Sequence, residues 1–231
     1  MYKISYLIAA YNCENVISDT INSAIDATKE VGYNIEIIII DDFSSDNTLI
    51  KILEFKKKYD FIQILNNKKN LGFSESILKT LDYVNGDYIK ILHAANIEKK
   101  NQILTFLNAI KKNDFVLTEP IDNRGFFRKK LSKICSLILC LITGKYIKYF
   151  NSAILCKSNL FKKFYTLDNL YGNFSLSLVI AKLLINNYKF CEVRIAYDHP
   201  MKGSKSVTIK NLLAFITVIF KILNIRIKKQ N

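Results

Sequence analysis

The feature that most constrains this chain is an alternation of short apolar runs and amphipathic segments up to about residue 118. Residues 35–40 include five isoleucines, a composition typical of a central strand covered on both faces. Residues 17–28 place apolar side chains at the spacing of one helical face. This alternation predicts an α/β fold: a Rossmann-like, doubly wound and mostly parallel sheet that binds ligands beyond the carboxyl ends of its strands.

The same pattern locates the individual elements. Strands are expected at residues 4–9, 35–40, 61–65 and 88–92, with helices between them and a turn at 70–72. Ser44, Ser45 and Asp46 are N-cap candidates for the helix that follows the second strand.

Charge and cysteine content narrow the class of protein. There are 34 Lys and Arg against 20 Asp and Glu, giving a net charge of +14. This excess favours polyanionic partners or reflects a lysine-rich genome. The sequence has no zinc-ligand spacing and no RNA-binding motif, so we expect no nucleic-acid partner.

Five cysteines without a C-x-x-C spacing indicate a reducing compartment. The chain starts with a strand-like run rather than a signal peptide, which predicts a cytoplasmic location.

Two basic and apolar segments stand out in the second half. Residues 124–133 are basic and lead into an apolar run at 134–143, and a second apolar run at 212–225 precedes three further cations. Both runs are shorter than the roughly 20 residues that span a bilayer. They predict amphipathic helices lying at an anionic membrane surface, with helices buried in the core as the alternative. We therefore expect a main domain over residues 1–208, a basic amphipathic helix over 209–231, and a peripheral position at the inner face of the membrane.

Two adjacent carboxylates, Asp41 and Asp42, follow the isoleucine-rich strand. Unpaired charges at the end of a buried strand are costly to desolvate, so such a pair indicates a bound partner. Base N–H groups and ribose hydroxyls of a nucleoside would donate to these oxygens. Alternatively, one of the two acids caps the next helix.

Four segments together resemble the large family of inverting GT-A glycosyltransferases: YLIAAYN (6–12), IIIDDFSSDNT (38–48), NLG (70–72) and GDYI (86–89). Their order and spacing make the resemblance more specific than any one segment would be. It implies a GT-A fold and a nucleotide sugar as substrate. It also implies that the nucleoside is held by the first turn and the acid pair, here Ala9, Tyr11, Glu14, Asp41 and Asp42.

The second half resembles, more faintly, the polyprenyl-phosphate sugar transferases such as the dolichol-phosphate mannose synthases. The similar segments are EVRIAY (192–197) and KGSK (202–205), although the loop is one residue short and His199 or Pro200 replaces its arginine. The arginine expected soon after Asp114 is also missing. The candidates for contact with the diphosphate or an acceptor phosphate are therefore Arg124, Arg128, Lys202 and Lys205, and the alternative for Lys205 is a solvated surface residue.

The chain departs from the family at the metal-binding motif. Where the family has Asp-x-Asp or His-x-Asp-Asp, this sequence has His93, Ala94, Ala95 and Asn96. Neither an imidazole nor an amide brings the negative charge that Mg²⁺ or Mn²⁺ prefers. The sequence therefore predicts no metal site here, and the divalent cation of the family is in doubt.

The resemblance implies a function in polysaccharide or glycolipid biosynthesis. Residues 171–175 lack the Glu-Asp pair that supplies a general base in members acting on sugar or protein hydroxyls. A phosphate acceptor is already anionic and needs no base. We therefore expect transfer, with inversion, from a nucleotide sugar to a polyprenyl phosphate or a membrane glycan intermediate. The alternative is a catalytically silent relative that acts as a partner or regulator of an active transferase.

Overall fold

The fold is built on a twisted sheet with helices on both faces. The computed structural model describes residues 1–95, 98–121, 126–169, 172–196 and 209–230. Within these residues the sheet has seven strands in the order β3-β2-β1-β4-β6-β5-β7. β6 pairs antiparallel with β4 and β5, and every other pairing is parallel. The expected doubly wound, mostly parallel sheet is confirmed.

The strands are β1 (Lys3–Ala10), β2 (Asn34–Asp41), β3 (Ile62–Asn66), β4 (Tyr88–His93), β5 (Phe115–Ile121), β6 (Ile154–Lys157) and β7 (Phe190–Ala196). The helices are α1 (Ile17–Glu30), α2 (Thr48–Lys58), α3 (Phe73–Thr80), α4 (Lys100–Ala109), α5 (Phe126–Thr143), α6 (Ser158–Phe164), α7 (Ser175–Ile185) and α8 (Ile209–Gln230). The four strands expected from the sequence are present, with ends shifted by no more than one residue.

The alternation of side chains along β1 and β2 divides the core into two layers. Ile37 and Ile39 pack on one face with α1, α2 and α4, and Ile38 packs on the other face with α3, α5, α7 and α8. Successive side chains of a strand point to opposite faces, so an unbroken isoleucine run supplies both layers. The central strands are thereby fixed, and their carboxyl ends are held in register at one edge of the sheet.

The two apolar segments of the second half form most of α5 and α8, and each helix has one buried and one exposed face. On α8, Phe215, Val218 and Ile222 are buried in the same cluster as α5 and α7, whereas Leu213 and Phe220 are exposed. Removing α8 would therefore open the core. The proposed boundary near residue 208 lies outside the described residues. Within the described part of the chain, none of the helices is long and apolar enough to cross a membrane.

Candidate functional site

The candidate site lies at the carboxyl edge of β1, β2 and β4. The register places Ala10 beside Asp41 and Ala9 beside His93, so the ends of the three strands are level. The first turn, the acid pair and the divergent motif are thus brought together, as expected for the edge where parallel strands end.

Asp41 has one carboxylate oxygen without a partner. Its side chain is buried, with 4% of the residue exposed. Oδ2 accepts a hydrogen bond of 3.1 Å from the backbone N–H of Ser44, whereas Oδ1 is buried and no described group donates to it. Because a buried unsatisfied acceptor is costly, this oxygen is suited to a donor supplied by a ligand.

Asp42 is oriented differently, into the protein. Its Oδ1 accepts from the Asn67 amide and from the Leu71 N–H, and its Oδ2 accepts from the Gly72 N–H, each at 2.8 Å. Asp42 therefore fixes the turn before α3. The two acids that looked equivalent in the sequence have different surroundings, and Asp41 is the better placed to meet a nucleoside.

The first turn is joined to the turn after β2 by side chains. The side-chain oxygen Oδ1 of Asn12 accepts from the Ser45 N–H at 2.8 Å, and the backbone N–H of Asn12 donates to the Ser44 hydroxyl at 3.1 Å. Asn12 adopts a positive φ of 46°, which asparagine tolerates better than most residues. The two turns therefore form one interlocked unit beside Asp41.

Glu14 is part of the same connection. Its carboxylate accepts from the Asn47 N–H at 3.0 Å, and its own N–H donates to Asp46 at 3.1 Å. Asp46 also accepts from the Thr48 N–H at 3.0 Å. The N-cap residue of α2 is Asn47, however, so the prediction of Ser44, Ser45 or Asp46 at that position is wrong. The Glu14 side chain thus contacts the start of α2, and its expected contact with a nucleoside stays a prediction.

Two exposed aromatic side chains lie just after the ends of β1 and β2. Tyr11 follows β1, and Phe43, with 58% exposure, follows Asp42. Phe43 has a φ of 66°, a strained conformation for a non-glycine residue that the turn nevertheless holds. Phe43 was not among the site residues predicted from the sequence, although a large apolar residue directly after two acids was a signal for it. Flat rings beside an unpaired carboxylate are suited to packing against a base.

The divergent motif begins at the end of β4. The His93 ring stacks on Phe73, with centroids 5.2 Å apart and an angle of 18° between the planes. The ring keeps exposed surface, yet enough protein surrounds it for desolvation to lower the pKa of His93; nearby Glu98 opposes this effect and Lys90 adds to it. Ala94 and Ala95 follow it without a ligating side chain, and Asn96 lies outside the described residues. The described part of the motif thus offers one neutral imidazole, a poor set of donors for a hard divalent cation.

A buried ion pair lies beneath this motif. Lys90 Nζ lies 2.8 and 2.9 Å from the two oxygens of Glu98, and both side chains are almost fully buried. Nζ also lies 3.8 Å from the centroid of the Phe106 ring. Burial lowers the pKa of Lys90, and the Glu98 carboxylate opposes that shift. The pair joins β4 to Glu98, which lies two residues before the start of α4.

The candidate phosphate-binding residues are not tested by the structure. Arg124, Lys202 and Lys205 lie outside the described residues. Arg128 lies in α5, where the helix is described but this side chain is not. Their contact with a diphosphate or an acceptor phosphate stays a prediction.

A metal-binding experiment follows from the donor set. We expect Mg²⁺ and Mn²⁺ to bind weakly to the wild type, and the double substitution Ala95→Asp with Asn96→Asp to raise the affinity by about tenfold or more, because it restores two carboxylates. Calorimetry would measure both, with Ala95→Asn as a neutral control. Tight binding by the wild type that is lost in His93→Ala would contradict this expectation.

The known proteins to which this chain is similar are glycosyltransferases. The model of the family described as glycosyl transferase family 2 matches residues 5–177. An Escherichia coli UDP-Glc:alpha-D-GlcNAc-diphosphoundecaprenol beta-1,3-glucosyltransferase is 32% identical over 113 residues, covering 49% of this chain and 43% of that protein. A Pyrococcus furiosus dolichol-phosphate mannosyltransferase is 28% identical over 138 residues, covering 57% and 38%. The chain thus spans less than half the length of these curated relatives.

Among solved structures, glucosyl-3-phosphoglycerate synthase from Mycobacterium tuberculosis, in complex with Mn²⁺, uridine diphosphate and phosphoglyceric acid, has a TM-score of 0.67. The match covers 94% of this chain and 78% of that one, at 14% sequence identity. At this identity the likeness shows the fold alone. The GT-A fold expected from the sequence is confirmed.

Proposed function

Because the chain belongs to glycosyl transferase family 2, we propose that it moves a sugar from a nucleotide sugar to a polyprenyl phosphate or a membrane glycan intermediate, with inversion at the anomeric carbon. The nucleoside diphosphate part of the donor occupies the carboxyl edge of β1, β2 and β4. The relatives named above act on lipid-linked acceptors, and the structural neighbour was solved with uridine diphosphate.

The observation that carries the proposal is the free oxygen of Asp41. A base N–H or a ribose hydroxyl donates to Oδ1, completing the partners of a carboxylate that the fold leaves half satisfied. Tyr11 and Phe43 are exposed rings that follow the ends of β1 and β2. The interlocked turns hold the backbone around Asp41 in place. This arrangement supports nucleoside binding without any contribution from Asp42.

The chemistry at the acceptor follows from its charge. A lone pair of the acceptor phosphate oxygen attacks the anomeric carbon as the bond to the diphosphate oxygen breaks, and the nucleoside diphosphate leaves with that electron pair. No proton has to be removed from the acceptor, so a general base is not required. For a sugar hydroxyl on a glycan intermediate, a base would be needed. The phosphate acceptor therefore fits this sequence better.

A peripheral location at a membrane accompanies the proposal. The exposed faces of α5 and α8 carry large apolar side chains, among them Leu137, Leu141, Leu213 and Phe220. Exposed lysines lie on the same helices, including Lys129, Lys130 and Lys228. Apolar side chains bordered by cations are typical of helices that lie on an anionic membrane surface.

The decisive experiment replaces Asp41 with asparagine. A hydrogen bond to a charged group is worth about 1.5–3 kcal/mol, so the affinity for a uridine diphosphate sugar should fall by about ten- to a hundredfold, as measured by calorimetry. Asp82→Asn, at an exposed position, is the matched control and should leave affinity unchanged. Equal affinity of wild type and Asp41→Asn would refute the assignment of Asp41.

The second candidate, a catalytically silent partner of an active transferase, is favoured by the side chains of the divergent motif. Both candidates expect nucleotide binding, but only the first expects turnover. Release of nucleoside diphosphate from the donor, with and without Mn²⁺ and with a polyprenyl phosphate in detergent, separates them. Binding without release under every condition would support the silent relative.

A further inference from the structure

A basic cavity lies where the carboxyl ends of α5, α7 and α8 meet. Its volume is about 310 Å³. It is lined by Thr143, Gly144, Lys145, Ile185, Asn187, Arg226 and Lys229. Three of these seven residues are cationic and none is acidic, so the side chains that line the cavity carry a net positive charge.

The cations are held in place by the ends of the helices. Arg226 donates to the carbonyl of Ile142 near the end of α5, and Lys229 donates to the carbonyl of Ile185 at the end of α7. Cations at helix carboxyl ends are favourable in their own right. A guanidinium has five N–H donors and an ammonium three, however, so each carbonyl occupies one donor of its cation.

The turn after α5 is shaped around Arg226. Gly144 has a φ of 71°, and a Cβ at this position would lie 2.8 Å from Arg226 Nη1. A larger residue would displace the guanidinium, so glycine both makes the turn and leaves space for the cation. Lys145, the next residue, is exposed and lines the same cavity.

Exposed apolar residues are close neighbours, along the chain, of the residues that line the cavity. Leu141, with 73% exposure, lies two residues before Thr143; Tyr146 follows Lys145, and Ile227 follows Arg226. The cavity also lies away from the candidate nucleotide site. Ile185 and Asn187 precede β7, whose first residue pairs with Phe115 at the start of β5, so this is the amino edge of the sheet.

We propose that this cavity binds the phosphate group of an anionic phospholipid. Lys145, Arg226 and Lys229 contact the phosphate, and Leu141, Tyr146 and Ile227 enter the interface around it. Cations within an exposed apolar border match a phosphate at the boundary of a bilayer better than a phosphate in bulk water. The inference rests on the membrane location proposed above, and it does not depend on transfer activity.

The test compares two double variants in sedimentation with vesicles of phosphatidylcholine, with and without phosphatidylglycerol. Lys145→Gln with Lys229→Gln should weaken binding to the anionic vesicles by about 25-fold, since each cation near such a surface contributes about fivefold. Lys57→Gln with Lys58→Gln removes the same charge from α2, which packs beside β3 at the far edge of the sheet, and should change binding less than about twofold. Equal losses in both variants, or no loss in either, would overturn the proposal.

A second arm identifies the source of the phosphate. Soluble glycerol phosphate should stabilise the wild type weakly against thermal unfolding. Strong stabilisation that disappears in the Lys145 and Lys229 variant, with unchanged vesicle binding, would assign the cavity to a soluble ester and overturn the lipid assignment. If the double variant fails to fold, Lys145→Gln alone gives the same comparison, because Lys145 lies in an exposed turn. Uridine diphosphate affinity, measured in parallel, distinguishes failure here from failure of the proposed nucleotide site.

Discussion

Replacing Lys90 with methionine is expected to lower the free energy of unfolding by about 3–5 kcal/mol, because it leaves the Glu98 carboxylate buried without its partner. Glu98 is 3% exposed, and both of its oxygens contact Lys90 Nζ in the wild type. Urea denaturation, followed by circular dichroism, would give the difference from the shift in the midpoint.

Two companion variants make this result specific. Lys100→Met breaks an exposed ion pair with Glu30 and should have little effect, since such pairs contribute little. The combination of Lys90→Met and Glu98→Leu should recover most of the lost stability, because replacing both members of a buried pair by apolar residues is often neutral. A Lys90→Met protein as stable as the wild type would show that the carboxylate finds water or another partner.

The second large effect is expected for Asp42→Ala. It removes the acceptor of three hydrogen bonds. The N–H groups of Leu71 and Gly72 lose this partner, whereas the Asn67 amide keeps its bond to the Ser76 hydroxyl. Hydrogen bonds to a charged group contribute about 1.5–3 kcal/mol each and are not additive, so we expect a loss of about 3 kcal/mol or more. Faster amide hydrogen exchange at Leu71 and Gly72 would locate the damage to the turn before α3.

Asp41→Ala is the matched comparison for this variant. It removes one backbone hydrogen bond, from Ser44, and relieves an unpaired buried oxygen, so its stability should fall much less. Nucleotide affinity should show the reverse order when each protein is measured in its folded state. An Asp42→Ala protein with wild-type stability and no nucleotide binding would show that Asp42 contacts the nucleotide and does not stabilise the turn.

Most of the fold could be predicted because its signals are local. The isoleucine run of β2 and the periodic helix after β1 set the parallel core, and the boundaries of the first four strands agree with the prediction to within one residue. β6 could not be placed, since an antiparallel strand of four residues has no pattern of its own and is defined by the neighbours that it joins. The apolar runs of α5 and α8 were compatible with helices at a membrane surface and with helices buried in the core. Each helix has one buried and one exposed apolar face, so it fits both descriptions.

The candidate site was predicted less completely because its roles depend on side-chain direction. Sequence alone placed Asp41 and Asp42 at the carboxyl edge of the sheet. The partner of Asp41 is the nearby Ser44, whereas the partners of Asp42 come from a turn 25 to 30 residues along the chain. Asn67 follows β3, and the sequence did not indicate that its amide donates a hydrogen bond to Asp42. Lys90 interrupts an apolar strand, and its partner Glu98 lies beyond the turn, so neither residue on its own indicated a buried pair.

The interlocking of the two turns has a consequence for when the site becomes ordered. The bonds between Asn12 and Ser45, and between Cys13 and Thr48, join residues 33 and 35 positions apart. They can form only after β1, α1 and β2 have assembled, so the conformational entropy of these turns is lost during folding and not when a ligand arrives. A nucleotide bound as proposed above would therefore meet a surface that is already ordered. Its affinity would depend on how well its donors match Asp41, and a poorly matched base would gain nothing from rearrangement of the loops.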